Sequence, residues 1–218
     1  MGAQEGRPCS LKHNESFRFS GLHCASLFGI DEIVAGLVEA EDCDINQKDS
    51  VDNTPLVWAA GNGHEGAVKI LLDQDSVNPN TPGCFGRPPL CWAANNGHEG
   101  VVKILLGRDD VIPDKPGFFD QTPLYCAANN GHEGVVKTLL ERDNVSPDNP
   151  GFFGQTPLHR AAENGHERVV KIQLERDDVN PDKEDRWGYT PPEYAILKGH
   201  TKVIALLQSR TSSIHSAA

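Results

Sequence analysis

Nothing in this chain approaches the run of about 18 apolar residues that a membrane-spanning helix requires, and no secretory h-region is read near Met1. Positive charge is scarce: 20 Lys and Arg stand against 31 Asp and Glu, for a net charge of −11. A nucleic-acid partner is thereby disfavoured, because phosphate contacts need a basic face. Acids such as Asp109-Asp110 and Asp177-Asp178 read as a solvated edge. No CxxC occurs among the six Cys, at 9, 24, 43, 84, 91 and 126, and no metal-ligand cluster either. That pattern fits reduced thiols in the cytoplasm. A nuclear setting is a variant of this reading, but no basic cluster supports it. Met1-Gly2 does not complete a myristoylation signal, since Gly6 stands where that signal needs Ser or Thr. Aromatics are few, at 6%, yet they are placed regularly.

What the chain has in abundance is repetition, which is tested before any other pattern. NNGHEGVVKILL at 95–106 returns as NNGHEGVVKTLL at 129–140. Its Gly recurs at Gly29, Gly63, Gly97, Gly131, Gly165 and Gly199, a step of 34 residues each time. His follows at His64, His98, His132, His166 and His200, with Ile30 in the first copy. Upstream, Thr54-Pro55-Leu56, Pro88-Pro89-Leu90, Thr122-Pro123-Leu124, Thr156-Pro157-Leu158 and Thr190-Pro191-Pro192 keep the same step, with Ser20-Gly21-Leu22 in the first copy.

Each copy predicts the same local structure. A Thr N-cap and a Pro at the first helical position open a short helix. Its centre is small, as in Ala93-Ala94 and Ala127-Ala128, so neighbouring helices can approach closely. The Gly ends it in a left-handed turn, where another residue would cost roughly 1–2 kcal/mol. A second helix follows, with Val101, Val102, Leu105 and Leu106 on one face in the third copy. A Gly/Pro/Asp/Asn-rich loop with short extended pieces, such as Val111-Ile112-Pro113, then leads to the next copy.

Thr122-Pro123-Leu124, Ala127-Ala128, Gly131-His132, Val135-Val136 and Leu139-Leu140 follow one another in the order of the ankyrin motif. The chain therefore resembles ankyrin repeat proteins, whose usual repeat is about 33 residues. The resemblance covers residues 17–210 and implies an all-α repeat solenoid of helix-turn-helix units joined by β-hairpin-like loops with a 34-residue period. The wording NGHEGVVK is similar to that of fungal ankyrin arrays. Repeats are placed near 17–50, 51–84, 85–118, 119–152, 153–186 and 187–210, between an N-terminal arm at 1–16 and a disordered tail at 211–218. The first copy is apolar, with Phe17, Phe19, Leu22, Leu27, Phe28 and Ile33, so the arm is expected to cap it in part.

The recurring His-Glu pair invites a catalytic or metal-binding reading. A metalloprotease helix needs a second His one turn on, but His98 is followed by Glu99, Gly100, Val101 and Val102. The His is better explained as bonding backbone groups at the turn. Glu65, Glu99, Glu133 and Glu167 each precede a Lys by four, in the order that favours a helix surface pair. His23 and His159 fill the slot after the Leu of the opening motif, where the ankyrin resemblance implies a structural hydrogen bond. No catalytic residue, metal or cofactor is expected, and the chain reads as a non-enzyme.

Function is sought where the copies differ. At the loop tips stand Val51, Phe85, Phe119, Phe153 and Trp187, preceded by Ser50, Cys84, Phe118, Phe152 and Arg186. Phe118-Phe119 and Phe152-Phe153 put paired aromatics on adjacent fingers. They read either as an apolar strip for a partner or as finger packing, and the two readings are compatible if one ring of a pair faces inward and the other outward. The ends of the first helices are rich in Asn, as at Asn95 and Asn129, with Arg160 and Glu163 nearby. Trp58 and Trp92 are assigned to packing between repeats. The ankyrin resemblance implies a concave groove between fingers and first helices. A protein or peptide partner is expected there, with Phe118, Phe119, Phe152, Phe153, Trp187 and Phe85 as anchors and Asn95, Asn129, Arg160 and Glu163 setting polar register. The reading is a monomeric scaffold or adaptor, with no nucleic-acid or membrane partner; the alternative is a passive repeat segment of a larger regulatory protein.

Overall fold

The computed structural model describes residues 19–40, 42–151 and 153–216, the side chains of 210–216 excepted. The arm at 1–16 and its expected capping role lie outside the described residues. Among the described residues, twelve α-helices follow in order: α1 (Gly21–Phe28), α2 (Asp31–Val38), α3 (Pro55–Asn62), α4 (Glu65–Leu72), α5 (Pro89–Asn96), α6 (Glu99–Leu106), α7 (Pro123–Asn130), α8 (Glu133–Leu140), α9 (Pro157–Glu163), α10 (Glu167–Leu174), α11 (Pro191–Lys198) and α12 (Thr201–Ser216). They form six helix pairs stacked in sequence order. The odd-numbered helices pack into one layer and the even-numbered into a second.

The helix ends are made as the sequence predicts. The side chains of Thr54, Thr122 and Thr156 accept from the backbone N–H groups of Val57, Tyr125 and His159. The first pair lacks the Thr-Pro opening, yet Ser20 caps α1 in a reciprocal box with His23. Gly29, Gly63, Gly97, Gly131, Gly165 and Gly199 are all left-handed, with φ between 65° and 79°. Val68, Leu71, Val102, Leu105, Val136 and Leu139 are fully buried on the inward faces of the second helices, against the row of Ala in the first. Gln173 breaks this pattern: it occupies the slot of Leu71, Leu105, Leu139 and Leu207, is fully buried, and neither amide atom has a hydrogen-bond partner.

The recurring His joins neighbouring pairs. Nε2–H of His64, His98, His132, His166 and His200 donates to the carbonyls of Leu27, Gly61, Asn95, Asn129 and Glu163, at 2.8–3.0 Å. Each ring also lies on the turn Gly of the preceding pair. The Glu differs from its expected role. Glu99 does pair with Lys103, but Glu133 and Glu167 reach forward to Arg168 and Lys202 of the next pair. Glu65 and Glu99 lie over Gly100 and Gly134, where a Cβ would stand 1.8–1.9 Å from a carboxylate oxygen. The Gly of the HEG triplet thus makes room for the acid of the preceding pair.

The connecting loops contain no β-strand among the described residues, so the extended pieces expected at Val111-Ile112-Pro113 are absent as regular structure. Each finger is instead a tight turn closed by a backbone bond, from the N–H of Asp49, Gly83, Gly117, Gly151 and Asp185 to the carbonyl of the residue four further on, at 2.9–3.0 Å. α12 runs to Ser216, past residue 210, where the sequence places the end of the array.

Candidate partner-binding groove

The fingers carry their aromatics outward. Phe85 is 61% exposed, Phe118 50%, Phe119 49%, Phe153 46% and Trp187 57%. Phe152 lies outside the described residues. The division of a pair into one inward and one outward ring fails at Phe118-Phe119, where both rings are exposed to the same degree. Exposure and contact coexist along the strip. Phe85 and Phe118 have ring centroids 6.0 Å apart, Phe118 and Phe119 3.9 Å, and Phe153 and Trp187 5.0 Å. Two adjacent fingers thus share a three-ring cluster, and two later fingers share a pair of rings.

The backbone beneath the first cluster is unusual. Phe85 has φ 57° and Phe119 φ 59°, each followed by a second left-handed residue, Gly86 or Asp120. A side chain in that region costs about 1–2 kcal/mol, and such residues persist where the surroundings over-determine them. Phe85, Gly86, Gly117, Phe118, Phe119 and Asp120 line a shallow cleft of about 510 Å³ between the two tips.

The expected polar residues are brought together, chiefly with one another. Asn129 Oδ1 accepts from Arg160 Nε at 2.9 Å, and Arg160 forms an ion pair with Glu163. Lys198 Nζ lies 3.6 Å from the other Glu163 oxygen. Asn95 Nδ2 donates to Asn96 Oδ1 at 2.8 Å, while its carbonyl takes bonds from His132 and Asn130. These contacts link pairs three to six to one another.

Trp58 and Trp92 do more than the packing assigned to them. The Trp58 indole donates to Asp49 Oδ2 at 2.7 Å, and the Arg87 guanidinium sits 5.3 Å from the Trp92 ring centroid. Together with Val51, Val57, Cys84 and Asn96 they line a pocket of about 330 Å³ on the finger side of the second and third pairs. Sequence reasoning missed this pocket; the signal was two successive Trp in one slot beside two finger residues smaller than Phe, Val51 and Cys84.

The titratable groups show structural roles. His159 is fully buried, takes the Thr156 N–H on Nδ1 and donates to the Tyr189 carbonyl at 3.0 Å; burial pushes its pKa down. Cys91 fills the same slot and donates to the Lys115 carbonyl. Burial raises its thiol pKa and that of Cys126, the latter to about 11, which makes both poor nucleophiles at neutral pH. Among the described residues, no group of three His, Cys, Asp or Glu converges as a metal site, and no helix is long and apolar enough to cross a membrane.

A search of curated proteins finds no match. A family model described as ankyrin repeats, three copies, matches over residues 22–115, 77–150, 110–181 and 143–217. These spans cover nearly the whole chain, and they contain every helix pair from Leu22 onward; the chain belongs to the ankyrin repeat family.

Proposed function

We propose that the six helix pairs are six ankyrin repeats of the kind fungal arrays use, and that the array is a non-catalytic scaffold or adaptor in the cytoplasm. It grips a protein or peptide partner between its finger tips and its first-helix faces. The observation that carries this reading is the aromatic cluster of Phe85, Phe118 and Phe119. Its rings are half-exposed and in contact, and two of its members sit in a strained backbone conformation. A finger that needed only to be stiff would bury its Phe. Phe153 and Trp187 extend the strip, and the network of Asn129, Arg160 and Glu163 holds the adjacent pairs in register.

The test is capture from the source cell's lysate with residues 1–218, beside a Phe119→Ser/Phe153→Ser control that keeps the native helical circular dichroism. A protein retained by the first and lost from the second supports the groove. Equal retention moves the contact elsewhere. No specific retention by either favours a passive segment of a larger regulatory protein.

A further inference from the structure

We propose that a pocket on the last finger and α11 takes a basic side chain, lysine or arginine, of the partner protein. The proposal rests on the groove reading above, because Trp187 belongs to both. Trp187, Tyr189, Glu193, Tyr194 and Leu197 line one pocket of about 320 Å³. Trp187 is 57% exposed, Tyr189 51% and Leu197 74%. Three aromatic rings, an apolar wall and one carboxylate are the chemistry that receives a cation on an apolar stem. The rings attract the charge through their quadrupoles, the carboxylate pairs with it, and the stem lies along apolar surface.

The lining is built rather than incidental. Asp185 is buried, and its Oδ1 accepts from the N–H groups of Trp187 and Tyr189 at 2.9 and 3.0 Å. Its Oδ2 accepts from the Tyr194 hydroxyl at 2.7 Å, and that hydroxyl in turn accepts from Gln155 Nε2 at 2.8 Å. One carboxylate thus pins all three aromatic residues. Tyr189 and Tyr194 stand edge to face, 5.9 Å apart, and Trp187 leans on Phe153. Glu193 Oε2 accepts from the Thr190 N–H and hydroxyl at 2.7 and 2.9 Å. Those bonds hold its carboxyl below the usual range, so it is ionised at neutral pH.

Charge decides between a basic and a merely apolar guest. An apolar group seated against Glu193 would desolvate the carboxylate with nothing in return, whereas a cation offsets that loss. The chain's own Lys nearby are engaged elsewhere: Lys183 Nζ bonds the Asp148 carbonyl and Lys198 Nζ faces Glu163. The net charge of −11 favours the approach of a basic segment.

The experiment follows the indole N–H signal of Trp187, one of three Trp, in ¹H–¹⁵N spectra of the full chain. The probes are blocked Gly-Gly-X-Gly-Gly peptides with Lys, Arg or norleucine at X. The Lys and Arg peptides are expected to shift that signal saturably and leave those of Trp58 and Trp92 in place, while the norleucine peptide has no effect. Glu193→Gln weakens the Lys peptide at least ~3-fold, and Tyr189→Leu, which leaves the Thr190–Glu193 cap intact, at least as much. An equal response to norleucine, or no movement of the Trp187 signal with any peptide, overturns the proposal. So does binding that ignores Tyr189→Leu. Any of these results, alongside partner capture that still depends on Phe119 and Phe153, would remove this pocket and leave the groove standing.

Discussion

His98 and Gly63 belong to adjacent helix pairs, and the His98 ring lies flat on the Gly63 turn. A Cβ on Gly63 would stand 2.6 Å from Nδ1, while Nε2–H donates to the Gly61 carbonyl at 3.0 Å. The Gly is thus required twice, for its φ of 79° and for the ring that covers it. Gly199 has the same conformation, φ 77°, with nothing near its missing Cβ. Gly199→Ala is therefore expected to lose about 1 kcal/mol, the conformational term alone. Gly63→Ala is expected to lose at least ~2 kcal/mol. Paired urea titrations measure the difference, which isolates the His contact; equal losses would show that the ring simply moves aside.

Gln173 is a fault in an otherwise apolar row. Both amide atoms are buried without partners, in a slot that the other five second helices fill with Leu. Gln173→Leu is expected to stabilise the array by about 1–3 kcal/mol, since it removes two unsatisfied groups at nearly constant volume. A rise in the urea midpoint at unchanged slope checks it. No change would mean that the amide finds partners in solution.

Asp148 occupies the slot of Asn80, two repeats earlier. Asn80 Nδ2 donates to the Asp110 carbonyl at 2.7 Å. The corresponding Asp148 Oδ1 is buried without a partner, while Oδ2 accepts from the Asn180 N–H. Burial raises the Asp148 pKa above the ordinary 3.8, against the pull of that N–H and of Lys183. A raised folded-state pKa means that the ionised form is disfavoured on folding. The group's contribution is therefore most favourable below pH 3.8 and is lost as pH rises through the raised value. Asp148→Asn is expected to stabilise by about 1 kcal/mol at neutral pH, with the gain shrinking on acidification. A gain that is flat with pH would contradict the assignment.

The left-handed Phe119 sets stability against binding. Phe119→Gly removes about 1 kcal/mol of conformational strain, less the entropy that Gly adds to the unfolded chain. It also removes the ring in contact with Phe118. The variant is expected to melt no lower than the parent while losing partner retention. Lower melting with retention intact would identify Phe119 as finger packing and not as a contact.

Much of the fold was legible because its signals are local. Thr122-Pro123 at a helix start, Gly131 at its end and Val135, Val136, Leu139 and Leu140 on one face each act within a few residues. Contacts between repeats were less so. Nothing within a repeat says that His132 reaches the Asn95 carbonyl, or that Glu133 turns from Lys137 to Arg168. The same limit hid the site. The regular step exposed Phe85, Phe119, Phe153 and Trp187 as candidates, but not the strained backbone under the first two. It also did not reveal that Trp58 and Trp92 share a pocket, or that Asn129, Arg160 and Glu163 bind one another.

The finger tips and first-helix faces are proposed to hold the partner. Hydrogen–deuterium exchange on the captured complex, against the free chain, tests it most directly. Slowed exchange at residues 83–87, 117–121 and 153–155 and at the ends of α5, α7 and α9 is the predicted result. Protection confined to α4, α6, α8 and α10, with the fingers exchanging as in the free chain, would contradict it.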